Sequence, residues 1–167
     1  MQGSGRIAIS EPAVKNQQEV PAVKLPTRVR FGLRIMMQIA EEGTRQPVFA
    51  GKIAATQQIS EAYVDQILIP LRAGGLLVSR RGRAGGYLLA RPADEITVLE
   101  IVEVLEGRIT LVDCTQDASI CERSSYCAAR QVWTRLSQTI RETLESVTLE
   151  EVRCQQEKLF PVLDYCI

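Results

Sequence analysis

The stretch ISEAYVDQILIPLRAGGLLVSRRGRAGGYLLAR, residues 59–91, decides the fold. Its first half has the apolar spacing of one helix face, and Ser60 stands where an N-cap is expected. That face consists of Val64, Ile67, Leu68 and Leu71. Two short β runs at 76–79 and 87–90 then enclose the glycine-rich turn RRGRAGG. The pattern predicts a helix followed by a β-hairpin with a basic tip.

Two helical patterns precede this stretch. Pro26 and Thr27 open a helix that Gly43 ends, and a second helix runs from about residue 50 to residue 57. The apolar stripe predicted for the first helix comprises Val29, Leu33, Met36, Met37 and Ala40. Helix, helix, turn, helix and hairpin is the order of a winged helix-turn-helix, which we assign to residues 24–92. The fold class is therefore mainly α with a small β-hairpin.

The chain on either side of this unit has a different character. Residues 1–23 show no apolar period and predict a flexible N-terminal arm. Residues 93–167 carry two capping-box patterns, at 97–100 and 148–151, and a cysteine-bearing segment at 111–128. A long helix follows that segment, with an apolar stripe that predicts a dimerisation element, although the same stripe could pack on the chain's own core. The stripe comprises Val132, Leu136, Ile140, Leu144 and Val147.

Composition excludes several classes of function. The chain has no His, so hydrolases with a catalytic His and His-ligated zinc sites are excluded, and no phosphate-loop motif is present. We therefore do not expect an enzyme. No apolar run approaches the length of a membrane helix, and the N-terminus lacks the apolar region of an export signal, so we expect a cytoplasmic protein without membrane contact.

The net charge of zero conceals a division of charge along the chain. Residues 24–91 carry 11 basic and 4 acidic side chains, a net charge of +7. Residues 92–167 carry 7 basic and 14 acidic side chains, a net charge of −7. The basic half coincides with the predicted winged helix, which indicates an anionic partner for that half.

The predicted partner is double-stranded DNA, bound by a homodimer at a palindromic operator. Ser60 and Tyr63 suit phosphates, while Asp65 and Gln66 could meet base edges in the major groove. The other predicted DNA-binding residues are basic or glycine, in the hairpin tip and near helix starts: Arg28, Arg30, Lys52, Arg80, Arg81, Arg83, Gly85 and Gly86. Alternatives remain for several of them. Ser60 could be a plain N-cap, Tyr63 a core residue, and the arginines a solvated surface.

Three of the five cysteines lie close together in the sequence. Cys114, Cys121 and Cys127 fall within 14 residues, and thiolates suit iron–sulfur clusters, Zn or Cu(I). Two other interpretations are open at this point. The three could be inert buried side chains, or they could act as a thiol redox switch without a metal.

Four segments together carry a resemblance to a known family. They are TRVRFGLRIM at 27–36, the stretch at 59–91, LVDCTQDASICERSSYC at 111–127 and TLEEV at 148–152. On these residues the chain resembles the iron–sulfur cluster regulators, the winged helix-turn-helix repressors of the IscR, NsrR and CymR type. The resemblance implies a homodimer formed by a long helix and three Cys that hold a [2Fe–2S] or [4Fe–4S] cluster.

Positions matched to the family are Cys114, Cys121 and Cys127 as cluster ligands, Arg81 as the wing arginine and residues 60–66 as the reading face. The chain also departs from the family. Six residues rather than five separate the first two cysteines, Arg130 stands where some members have a ligand His, and Arg30 stands where others have a ligand Asp. Candidates for a fourth ligand are Cys154, Cys166, Asp113 and Glu122, or the position is open.

The function implied is a homodimeric transcriptional regulator whose cluster state sets its affinity for DNA. It would respond to redox state, nitric oxide or the supply of iron. Two alternatives are a regulator that uses its cysteines as a redox switch and a regulator that works through a protein partner, as CymR-like proteins do.

Overall fold

The computed structural model describes residues 25–43, 46–82 and 85–159. The predicted arm at 1–23, Arg83 and Cys166 lie outside these ranges. The described chain contains nine helices and strands of four residues or more: α1 Thr27–Glu42, α2 Ala50–Gln57, α3 Glu61–Ala73, β1 Leu77–Arg80, β2 Gly86–Leu89, α4 Val98–Glu106, α5 Asp113–Gln116, α6 Ala128–Glu145 and α7 Leu149–Leu159. Single 3-10 turns lie at Ala93–Glu95 and Ala118–Ile120.

The predicted winged helix-turn-helix order is confirmed. Strands β1 and β2 pair antiparallel, with Leu77 opposite Leu89 and Arg80 opposite Gly86. Each strand is displaced by one residue from the predicted run. A third segment pairs with the hairpin and was not predicted from the sequence. Val48 donates to the Tyr87 carbonyl at 3.0 Å and accepts from the Tyr87 amide at 2.8 Å. This bridge ties the α1–α2 connection to the hairpin.

Helix α1 lies at the centre of the core. It packs against α2, α3, β2, α4 and α7. Because it is covered from several sides, its buried face is wider than the predicted stripe: Ile35 and Ile39 are fully buried, whereas Leu33 and Met37 are only partly buried. The face of α3 is buried as predicted, over Val64, Ile67, Leu68 and Leu71.

Both capping boxes form, and together they bring the end of the chain back to the core. The Thr97 amide donates to Glu100 at 2.9 Å, and the Thr148 amide donates to Glu151 at 2.9 Å. The two caps lie side by side, because the Leu149 amide donates to the Ile96 carbonyl at 2.8 Å. Leu149 is therefore fully buried in the same cluster as Ile35 and Ile67. Among the described residues, no helix has the length and apolarity that a membrane span requires.

Gly86 is expected to be the least replaceable glycine of the hairpin. Its φ is +152°, and a Cβ there would lie 2.6 Å from the Val48 carbonyl oxygen. Gly75 also has a positive φ, +74°, but no described atom lies within 4 Å of its Cβ position. We expect Gly86→Ala to lower the free energy of unfolding by about 2–4 kcal/mol, from backbone strain plus overlap.

The matched control Gly75→Ala carries only the backbone term and is expected to cost about 1 kcal/mol. Urea unfolding followed by circular dichroism measures both. Equal losses for the two variants would contradict the close contact between Gly86 and Val48.

Candidate nucleic-acid interface and cysteine segment

Helix α3 presents a polar face to solvent. Its apolar side is buried, so Asp65 and Gln66 are exposed on the opposite side. The helix begins after Ser60, whose Oγ accepts a hydrogen bond from the Tyr63 amide at 3.2 Å. The N-cap interpretation of Ser60 is thus confirmed. Ser60 is itself exposed, so a phosphate contact stays a prediction.

Tyr63 joins the first turn of α3 to α1. It is half-buried, and its ring meets Phe31 edge-on, with centroids 5.8 Å apart and an interplanar angle of 89°. The guanidinium of Arg34 lies 5.4 Å from the centroid of the Phe31 ring. Arg34 is exposed and was not among the basic residues predicted to bind DNA. The three-residue spacing from Phe31 was the signal that could have found it.

The hairpin exposes two of its three predicted arginines. Arg80 and Arg81 are exposed, and Arg83 lies outside the described residues. Gly85 is required by the turn itself, because a Cβ there would lie 2.6 Å from the Arg80 carbonyl oxygen and 2.8 Å from that of Gly82. Gly86 approaches Val48 rather than an external surface. The two glycines therefore shape the tip that carries the arginines, and a direct DNA contact by either stays a prediction.

Two basic residues near helix starts already have partners within the chain. Arg28 donates through Nη2 to the Gln66 carbonyl at 3.3 Å, while its buried Nε has no partner among the described residues. Lys52 pairs with Glu42 at 2.6 Å. Glu42 also accepts from Gln38, and Gln38 accepts from the buried Gln57 at 2.9 Å. A phosphate would therefore compete with Glu42 for Lys52, whereas Arg30 is exposed.

The three predicted ligand cysteines occupy one segment but different local structures. Cys114 lies in α5, Cys121 follows the 3-10 turn, and Cys127 is the N-cap residue of α6. All three are free and half-buried. Within the described ranges, no group of three or more Cys, Asp or Glu side chains is arranged to hold a metal ion. The structure places the three thiols in one region without converging them on a common point.

Polar contacts attach this segment to α6. Arg130 in the first turn of α6 donates through Nε to the Cys114 carbonyl at 2.7 Å. The Leu111 amide donates to Ser137 Oγ at 3.2 Å. A cavity of about 330 Å³ lies in the segment, and its lining includes Cys121, Glu122 and Arg130. The segment is therefore an ordered part of the fold rather than a free loop.

Cys154 lies on α7, and its thiol contacts a carboxylate. Its Sγ donates to Glu150 at 3.4 Å, and this contact with a carboxylate raises the pKa of the Cys154 thiol. Hydrogen bonds from Arg153 in turn lower the pKa of Glu150 to about 2. Because iron binds the thiolate, Cys154 would have to leave Glu150 and lose its proton to act as a fourth ligand, and that role stays a prediction.

Within the part of the chain that the structure describes, the apolar side of helix α6 is largely uncovered. Val132, Trp133 and Leu136 are 60%, 40% and 44% exposed. Within α6, which is described throughout, Ser137 is the one buried residue. The predicted stripe thus packs on the chain's own core only near its C-terminal end, where Leu144 and Val147 contact the cluster around Val29 and Val102.

Comparisons with known proteins agree on one family. The family model "Rrf2: Iron-dependent Transcriptional regulator" matches residues 25–155. The regulator CymR of Bacillus subtilis is 38% identical over 130 residues, which are 78% of this chain and 89% of CymR. Its structure, described as that of the global cysteine regulator, is similar with a TM-score of 0.67, 37% identity and coverage of 80% and 98%. The structure of T. potens IscR has a TM-score of 0.68 and 31% identity, covering 82% and 90%.

The contact between Cys154 and Glu150 predicts a shift in the reactivity of the thiol. Replacing Glu150 by Gln removes the carboxylate that stabilises the protonated thiol, so the pKa of Cys154 falls. The pH profile of alkylation at Cys154, resolved by peptide mass spectrometry, should then move to lower pH. The exposed Glu145→Gln on α6 is the control, with no expected change. An unchanged profile in Glu150→Gln would contradict the assignment.

Proposed function

The chain belongs to the Rrf2 family of DNA-binding transcriptional regulators, and from this premise we propose that it binds a palindromic operator as a homodimer whose DNA affinity is set by an iron–sulfur cluster. Regulation of transcription rather than catalysis is its function, in agreement with its relatives and its fold. The observation that supports the DNA interface best is the exposed polar face of α3 beside an exposed basic hairpin tip.

Each part of this interface has a distinct task in the proposal. Asp65 and Gln66 project from α3 and meet base edges in the major groove, where each base pair has its own donor and acceptor pattern. Arg80 and Arg81 bind phosphates or a narrow minor groove next to that site. Tyr63 fixes the angle of α3 against α1 through Phe31, so that the base-reading residues enter the groove in a defined orientation.

The uncovered apolar side of α6 supports the homodimer. A monomer would expose Val132, Trp133 and Leu136 to water, and a second copy of the same helix would remove them from it. A two-fold axis along this contact presents two α3 helices to the two halves of a palindrome. The same arrangement makes the distance between the two α3 helices depend on how α6 is held.

The role of the hairpin tip can be tested through the salt dependence of binding. An operator selected from random-sequence DNA is titrated over a range of salt concentrations. Arg81→Ala should weaken binding to all sequences similarly and reduce the slope of log K against log[salt] by about 2, because the homodimer loses one phosphate contact from each protomer.

Lys158→Ala removes the same charge from α7, outside the proposed interface, and should leave the slope unchanged. A slope in Arg81→Ala that equals that of the unaltered protein would contradict a phosphate contact at this residue.

The donor set of the cysteine segment fits an iron–sulfur cluster by its chemistry. Cys114, Cys121 and Cys127 offer three unbridged thiols in one half-buried segment, and thiolates are the ligands that such clusters require. A bound cluster would supply a centre that oxidants or nitric oxide can alter. Because the three thiols are not converged, loading would require the segment to rearrange. Arg130 cannot complete the ligand set, since a guanidinium stays protonated.

Rearrangement of the segment is the basis for regulation in this proposal. The segment is bonded to α6, and α6 sets the relation of the two DNA-binding units. A coupling of about 1–3 kcal/mol between the two states of the segment would change DNA affinity about 5- to 150-fold.

Cluster binding can be tested by purification without oxygen, followed by visible absorption and by iron and acid-labile sulfide analysis. The unaltered protein should be coloured and contain both elements, and Cys121→Ala should lose them. Cys154→Ala is the control and should keep them. A colourless protein without iron after reconstitution would rule the cluster out.

A second candidate function retains the DNA interface and uses the cysteines as a redox switch. The absence of a converged ligand set among the described residues favours it, as does the similarity to a global cysteine regulator. Treatment of metal-free protein with peroxide distinguishes the two candidates. An oxidation mass shift at Cys114, Cys121 or Cys127 that changes operator affinity without iron selects the redox switch.

A further inference from the structure

The side chain of Arg130 closes the cysteine segment onto α6. Its Nε donates to the carbonyl oxygen of Cys114 across 16 residues of chain, at 2.7 Å. The acceptor is the backbone of a predicted ligand residue, so the bond restrains the position of Cys114 without involving its thiol. Hydrogen bonds from a charged donor are among the stronger ones in proteins.

Arg130 is available for this contact because it has no ion pair among the described residues. Two other arginines of the C-terminal half do form ion pairs. Arg141 pairs with Glu103, and Arg153 pairs with Glu150 and Glu157. Arg130 and Cys121 also line the same cavity, so this one residue adjoins two of the three cysteines. A rearrangement that brings Cys114 toward Cys121 and Cys127 would reorient the Arg130 side chain, move the first turn of α6 or break this bond.

Two further contacts extend the connection along α6. The Leu111 amide is bonded to Ser137, two turns beyond Arg130. Arg141, one turn further, forms an ion pair with Glu103 on α4. Helix α4 packs directly on α1 of the DNA-binding half. Arg130 is thus connected to the DNA-binding half through α6, the ion pair between Arg141 and Glu103, and the packing of α4 on α1.

We propose that Arg130 is a positioning residue that couples the cysteine segment to α6, so that a change in the segment alters DNA affinity in part through this side chain. The proposal rests on the proposed function in one respect, that the segment is the sensing element. It does not depend on whether the signal is a cluster or thiol oxidation.

The positioning itself is measured first, on the reduced, metal-free full chain. Hydrogen–deuterium exchange of residues 111–117 is compared in the unaltered protein and in Arg130→Gln, Arg130→Lys and Arg123→Gln. Loss of a hydrogen bond to a charged donor predicts exchange in Arg130→Gln that is faster by on the order of tenfold. Arg130→Lys keeps a cationic donor and should recover part of the protection.

Arg123→Gln is the matched control, because it removes the same charge from the cysteine segment, seven residues before Arg130. Arg123 is exposed, and its side chain makes no hydrogen bond or ion pair among the described residues. Its exchange should match that of the unaltered protein. Equal exchange in Arg130→Gln and Arg123→Gln would overturn the positioning role.

The coupling is measured as a ratio of two operator affinities, one with the segment in its loaded or reduced state and one after loss of the cluster or oxidation. Arg130→Gln should move this ratio toward one, and Arg130→Lys should restore part of it. Simple destabilisation would instead weaken both states by the same factor. An unchanged ratio in Arg130→Gln would overturn the coupling.

The two proposals fail in different ways. A ratio of one in the unaltered protein would overturn the proposed function and, with it, the coupling through Arg130. The exchange experiment would still decide whether Arg130 positions Cys114, since it uses protein that carries neither cluster nor oxidised thiol.

Discussion

The paired backbone contacts between the two capping boxes are the constraint on which the rest of the structure depends. Leu149 donates to Ile96, and Val98 donates to Val147, so the chain that leaves the DNA-binding half at the start of α4 returns to the same place at the start of α7. Burial of Leu149 in the common core stabilises this closure. The cysteine segment and α6 therefore belong to a region that is fixed to the core at both of its ends and is not an independent subdomain. Because backbone hydrogen bonds fix both ends of this region, movement within it is restrained at both attachment points.

Much of the fold follows from local sequence signals. Capping residues and helix-ending glycines are read from a few neighbouring positions, which is why both ends of α1 and the start of α4 agree with the sequence to within a residue. The bridge between Val48 and Tyr87 has no such signal, because it joins residues 39 positions apart through backbone atoms. The width of the buried face of α1 was also missed. A single stripe describes a helix packed on one side, and α1 is packed on several.

The sequence predicted which residues of the candidate site would be exposed, but it did not predict which of them would have partners within the chain. The exposed positions Asp65, Gln66, Arg80 and Arg81 follow from helical and strand periodicity. That Lys52 is held by Glu42, and Arg28 by the backbone of Gln66, depends on tertiary packing that no local pattern encodes. The cysteines show the same limit. Their spacing in the sequence shows that the three thiols lie in one segment. Whether they meet at one point depends on the three different local structures that hold them.

The single buried residue of α6 has a consequence for how the protein behaves at different concentrations. Helices in folded proteins draw most of their stability from tertiary packing, and an 18-residue helix with only Ser137 buried draws little from its own chain. What covers the apolar side therefore determines how firmly α6, and the cysteine segment bonded to it, is ordered. Under the homodimer proposal, association and the rigidity of the sensing element are coupled equilibria. The abundance of the regulator would then set the threshold at which it responds, alongside the signal itself.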